Sequence, residues 1–203
     1  MLDFVAFRLT AKSNATITGE VNNGDIDMKS LTALSFSIGG LAGLATFLAV
    51  GPLSGVFFIW AATIAWAAYF ALGGNEEAAK NTVVCGIYGV FMAWYTAVLI
   101  TYISPTAILG FPLMAAIIVT ISVVVMCLAA NLKIFSAIPA SVLGYSSTFA
   151  YLLQTPDKLT EDVLLSVSLD NPLVVISISI AVGTGFGIWS GKLAAKLTTV
   201  ADE

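Results

Sequence analysis

The apolar cores of six long stretches of this chain contain no Asp, Glu, Lys, Arg or His, and that pattern limits the possible folds more than any other feature. A helix rises about 1.5 Å per residue, so about 20 apolar residues cross a hydrocarbon layer about 30 Å thick. The stretches run over about 31–50, 54–72, 76–103, 106–130, 134–153 and 171–197. They predict an all-α fold, a polytopic integral membrane protein of about six transmembrane helices. Only 10% of the 203 residues are charged. A soluble domain carries about 25%, so this chain cannot cover a water-facing surface and needs lipid around it. The expected division is an N-terminal cytoplasmic or interfacial segment (1–30), a six-helix transmembrane domain (31–197) and a C-terminal tail (198–203). Met1 to Leu9 is too short, and too interrupted by Asp3 and Arg8, to be a secretory signal. Leu2, Val5 and Leu9 share one helical face, which suits an interfacial helix or a frayed tail.

Local punctuation supports these boundaries. Gly51-Pro52 ends the first stretch and Gly73-Gly74 caps the second. Asn75 is placed to cap the third, with Glu76 and Glu77 where the helix dipole favours negative charge. Ser104-Pro105 breaks the chain before the fourth, and Asn171-Pro172 opens the sixth with proline in the first turn. The connection of residues 154–171 is longer than the others. Thr160, Glu161 and Asp162 suit the start of a short helix, whereas Leu165, Val167 and Leu169 alternate like a strand. The sequence leaves both readings open, along with a loop lying on the membrane surface.

Orientation follows from basic residues. With six spans, Arg8, Lys12, Lys29, Lys80, Lys133, Lys192 and Lys196 fall on one side and only Lys158 on the other. Basic residues favour the cytoplasm, so both termini are expected there, in the cell inner membrane. The opposite face is acidic, with Asp157, Glu161, Asp162 and Asp170.

Several function classes are disfavoured. There is no histidine, which removes the commonest general base and metal ligand. Cys85 and Cys127 are isolated in apolar stretches, with no zinc or disulfide spacing. No basic patch suits nucleic acid. No nucleophile–base pair or paired carboxylates lie in a core, so the chain is not expected to be an enzyme or to hold a cofactor or metal. Ion-coupled carriers keep ionisable groups in the membrane, and these cores have none. The expectation is a channel or facilitator for a small neutral solute without ion coupling. The alternative is a non-transporting scaffold or accessory subunit. Expected partners are the bilayer, such a solute and a second copy of the chain.

Candidate residues fall into three groups. Gly39 and Gly43 are four apart, and Gly183, Gly187 and Gly191 form a longer zipper. Small residues at this spacing let helix backbones approach closely, against a helix of the same chain or of another subunit. Gly86 and Gly89 share a face of the third stretch. Trp60, Trp66 and Trp94 suit either a solute path or packing. The fifth stretch is the most polar: Pro139 removes a backbone donor, and Ser141, Gly144, Tyr145 and Thr148 follow. A kink at Pro139 would free carbonyls near Phe135 and Ser136. Ser141, Tyr145 and Thr148 recur on one helical face, the expected solute path, with Tyr145 as its gate. The alternative is a kinked helix whose hydroxyls bond back to their own carbonyls.

Taken in order, these stretches resemble a bacterial inner-membrane family of unassigned function, domain of unknown function 1097. The matching pieces are Ser37-Ile38-Gly39-Gly40-Leu41-Ala42-Gly43, Ala67-Ala68-Tyr69-Phe70-Ala71, Phe135-Ser136-Ala137-Ile138-Pro139 leading to Gly144 and Thr148-Phe149-Ala150, and the Gly183–Gly191 zipper. The similarity covers roughly 31–197, with the first 30 residues and the loop of 155–170 as additions. The resemblance implies a small polytopic protein and brings no activity, ligand or catalytic residue with it.

Overall fold

The computed structural model describes residues 23–103 and 110–200, with side chains over 30–103 and 110–198. The first 22 residues, with Arg8 and Lys12, and the Ser104-Pro105 break lie outside the described residues. The chain order is α1 (Asn23–Val50), α2 (Ile59–Ala71), α3 (Glu76–Thr101), α4 (Phe111–Leu128), α5 (Ile138–Gln154), α6 (Glu161–Leu165) and α7 (Pro172–Val200). No strand occurs among the described residues. Four helices are long and apolar enough to cross a membrane: Ser30–Val50, Glu76–Thr101, Phe111–Asn131 and Pro172–Thr198. The protein is an all-helical membrane protein. Helices α2 (13 residues) and α5 (17 residues) are shorter than a full span.

The caps explain several helix ends. Asn75 accepts the Ala78 N–H at 2.8 Å, satisfying one of the donors left free at the start of α3. Gly73 and Gly74 take φ of +114° and +66°, a conformation that glycine adopts without steric cost, and turn the chain sharply after α2. Asn171 donates to the Leu164 and Ser166 carbonyls and accepts the Leu173 N–H, so one side chain ties the long connection to the start of α7. In that connection the helix reading holds: α6 forms, Leu164 is fully buried, and Leu165, Val167 and Leu169 are exposed.

Several boundaries differ from expectation; α1 begins at Asn23, ahead of the expected start near residue 31, and α4 at Phe111. Helix α2 begins at Ile59, after a run of turns, where the Phe58 N–H donates to the Ser179 hydroxyl of α7 at 2.7 Å. A partner on another helix, invisible to local sequence, sets that start. Helix α5 begins at Ile138, after two 3₁₀ turns over Ala129–Asn131 and Lys133–Phe135. Pro139 therefore sits in the first turn, exposed, where a missing N–H breaks no intrahelical bond. The expected mid-helix kink at Pro139 is absent.

Contacts fix the helix directions. Helices α2 and α7 run parallel, with Phe58, Ala62 and Phe70 meeting Ser179, Gly183 and Gly191 in order. Helices α3 and α5 also run parallel: Cys85 clusters with Ala137, Gly89 abuts Ser141, and Ala93 clusters with Tyr145. Helix α4 runs antiparallel to α3, pairing Ser122 with Thr96 and Met126 with Met92. Helices α2, α3, α5 and α7 form the core, while α1 packs mainly on α7 and α4 mainly on α3. The outer faces of α1 and α4 expose large apolar side chains such as Phe36, Phe47, Ile117 and Ile121, the composition lipid contact requires.

Candidate functional site

The site is built on α5, which buries two adjacent faces. One carries Ser141, Tyr145 and Thr148, all buried. The Thr148 hydroxyl donates to the Gly144 carbonyl of its own helix at 2.9 Å. Thr148 is thus satisfied internally and offers no free donor. The Ser141 Oγ and the Tyr145 hydroxyl are buried and have no hydrogen-bond partner among the described residues. They lie one turn apart, so the face presents two unmet polar groups in succession. Tyr145 packs against Met92, Ala93 and Met126, and its ring lies 5.1 Å from that of Phe149. It stands where α3, α4 and α5 meet.

Gly144 belongs to a different arrangement from the path expected for it. A Cβ on Gly144 would stand 2.0 Å from the Gly86 carbonyl oxygen, and one on Gly89 would stand 1.9 Å from the Ser141 carbonyl oxygen. The α3 and α5 backbones touch at these points, so Gly144 permits helix contact and does not face a conduit. Gly86 and Gly89 are legible in sequence as a pair, but nothing local assigns Gly144 as their partner.

The other glycines divide. A Cβ on Gly183 would lie 1.9 Å from the Ala62 carbonyl oxygen, and one on Gly187 2.7 Å from the Tyr69 ring. At Gly191 the nearest atom, in the Phe70 ring, is at an ordinary 3.9 Å. The zipper faces α2 of the same chain. At Gly39 and Gly43 no described atom lies within 4 Å of the Cβ position. These two glycines are exposed and pack against no helix among the described residues. Their spacing matches the zipper, but α1 turns its other face, with Ser37 and Ala45, toward α7 and α2.

The tryptophans separate as well. Trp66 is buried and donates from Nε1 to the Ser190 Oγ at 3.0 Å, while the Ser37 hydroxyl donates to the Ser190 carbonyl at 2.7 Å. Ser190 thereby joins α1, α2 and α7, a junction sequence reading missed because each member looks like an ordinary core or interface residue. Trp94 donates to the Leu164 carbonyl at 2.7 Å and holds α6 against α3. Trp60 is 65% exposed on the outer surface.

At the acidic end of the bundle, Lys158 donates to Asp170 at 2.6 Å and Tyr151 to the Asp170 carbonyl at 3.1 Å. The hydrogen bond to Asp170 holds the Lys158 ammonium above the ordinary lysine range. The pair is exposed enough that it contributes little to stability. A cavity of about 210 Å³ opens beside it, lined by Tyr151, Asp170, Phe58 and Val175 among others. Among the described residues no three His, Cys, Asp or Glu side chains gather as a metal site.

Compared with known proteins, residues 35–195 match the family model described as Protein of unknown function (DUF1097). No curated protein matches, and no solved structure matches.

Proposed function

The chain belongs to the DUF1097 family, which carries no activity with it, and we propose that it is a facilitator for a small neutral solute, working without ion coupling in the cell inner membrane. One observation carries this reading: the Ser141 and Tyr145 hydroxyls are buried, successive and without a partner among the described residues. A hydroxyl without a partner in an apolar interior is costly, and such groups in a native fold call for a ligand, a water or a moving partner. Tyr145 acts as the gate between α3, α4 and α5, and the solute is one that accepts or donates a hydrogen bond without carrying charge. In this reading the protein is not an enzyme.

The same proposal includes six spans with both termini cytoplasmic. Helices α2 and α5 run parallel to the full-length α7 and α3, and the turns after Val50 add depth to α2. Lys80, Lys133, Lys192 and Lys196 lie at one end of these helices, and Lys158 lies at the other. A phosphatase fused to the C-terminus is expected to be inactive and a cytoplasmic reporter active there. The reverse pattern would overturn the topology.

A specific observation favours the alternative, a non-transporting scaffold. Backbone contacts at Gly89 and Gly144 close α3 against α5 and leave no wide passage between them. Solute flux in liposomes separates the two readings. The facilitator reading expects flux above protein-free vesicles, changed severalfold by Tyr145→Ala. It also expects Ser141→Cys or Tyr145→Cys, in a background without Cys85 and Cys127, to react with a membrane-impermeant thiol reagent. Unchanged permeability and no labelling from either side would leave the scaffold.

A further inference from the structure

Along the zipper of α7 the fit to α2 loosens step by step. A Cβ would stand 1.9 Å from the Ala62 carbonyl oxygen at Gly183, 2.7 Å from the Tyr69 ring at Gly187 and 3.9 Å from the Phe70 ring at Gly191. The backbones touch at the first position and have a ring between them at the other two. Just beyond, Gly73 and Gly74 turn the chain from α2 into α3. A cavity of about 680 Å³ opens between that turn, the start of α3 and α7. Sites for small molecules occupy roughly 300–1,000 Å³.

The cavity changes character along the bundle axis. Its inner part is lined by Ala79 of α3 and Ile188 of α7, and its outer part by Asn75, Glu76 and Lys192. Pro172 and Lys192 are 20 residues apart in α7, about 30 Å, which is the thickness of the hydrocarbon layer. The polar part therefore stands at the level of lipid headgroups and the apolar part at the level where acyl chains begin. Glu76 and Lys192 are the charged members of the lining, one of each sign. No ion pair joins them, and neither is paired elsewhere among the described residues. Asn75 commits its side-chain oxygen to the Ala78 N–H, which leaves its amide N–H groups to donate.

We propose that this cavity binds the headgroup of a phospholipid carrying both a phosphate and a primary ammonium, of the phosphatidylethanolamine type. Lys192 and Asn75 donate to the phosphate, and the ammonium donates to the Glu76 carboxylate. The glycerol end lies over Ala79 and Ile188, from which the acyl chains continue into the bilayer. A zwitterion satisfies both charges at once with charge-assisted hydrogen bonds. An anionic lipid would leave Glu76 unpaired and set a like charge beside it, so the lining discriminates between the two. No residue of α5 lines the cavity, and the site stands apart from the solute path.

The test is lipid binding by the purified, delipidated full-length protein, read by native mass spectrometry. The probes are phosphatidylethanolamine and phosphatidylglycerol with the same acyl chains. The parent is expected to hold phosphatidylethanolamine at a severalfold lower lipid concentration than phosphatidylglycerol. Glu76→Gln is expected to erase that preference, and Lys192→Gln to weaken binding of both lipids. Both side chains are exposed, so these variants should melt with the parent. Gly191→Leu fills the cavity from α7 and is expected to lose the preference as well. Three results would each overturn the proposal: equal binding of the two lipids by the parent, Lys192→Gln binding like the parent, or a preference that survives Glu76→Gln or Gly191→Leu. Water-soluble glycerophosphoethanolamine separates the two sources of this headgroup. If it binds as tightly as the lipid, the cavity takes a free zwitterion and the lipid assignment fails.

Discussion

Gly183→Ala and Gly89→Ala should each unfold in detergent well below the parent. The added Cβ would stand 1.9 Å from a backbone carbonyl oxygen, that of Ala62 in the first case and of Ser141 in the second. A flexible side chain moves aside at little cost, but a carbonyl in a helix moves only with its whole helix. Overpacking of this kind costs about 1–3 kcal/mol and more where the backbone must shift. For a chain of this size, each kcal/mol lowers the melting temperature by about 2–4 °C. The control is Gly185→Ala, where no described atom lies within 4 Å of the new Cβ. Alanine favours a helix over glycine by about 1 kcal/mol, so this variant should be as stable as the parent or slightly more so. If Gly183→Ala and Gly185→Ala melt together, the parallel α2–α7 contact is not the one described.

The second large effect is expected at Trp66. Truncation to alanine removes a buried indole that stacks on Phe186 at 5.7 Å and donates to Ser190. Loss of a buried tryptophan costs about 3–5 kcal/mol. The damage should be local in its consequences. Ile38, Leu41 and Ala45 of α1 share this cluster, which joins α1 to both α2 and α7. Trp66→Ala is therefore expected to loosen α1 before the rest unfolds. Proteolysis or cysteine accessibility along α1 would detect that, and uniform protection in the variant would contradict it. Trp66→Phe keeps an aromatic ring for the stack but loses the hydrogen bond to Ser190 and part of the buried indole volume, so an effect smaller than that of alanine is expected.

Features whose cause is local were legible in the sequence. The Asn75 cap, the Gly73-Gly74 turn and the Asn171-Pro172 start each depend on residues adjacent in the chain. All three stand where sequence placed them. Features whose cause lies on another helix were not legible. Proline has the same local effect wherever it stands, so Pro139 reads alike as a kink or a first turn. Only the 3₁₀ turns before it decide the matter. Gly39 and Gly183 begin the same spacing, yet one faces outward and the other meets a carbonyl, because helix rotation is set by the neighbours. Within the candidate site, Ser141, Tyr145 and Thr148 do share a buried face. Sequence could not tell that Thr148 satisfies itself while the other two do not.

The parallel pairing of α2 with α7 has a consequence for biosynthesis. Trp66 and Ser190 are 124 residues apart, and α2 finds its main partner only in α7, made after α3 to α6. Until then α2 is a short helix whose alanine- and aromatic-rich face is unmatched, and α1 lacks the surface it leans on. The bundle therefore closes late, after the polar connection of residues 155–170 has been translocated or laid on the surface. A chain that stops before α7 therefore leaves α1 and α2 without the helix on which both mainly pack.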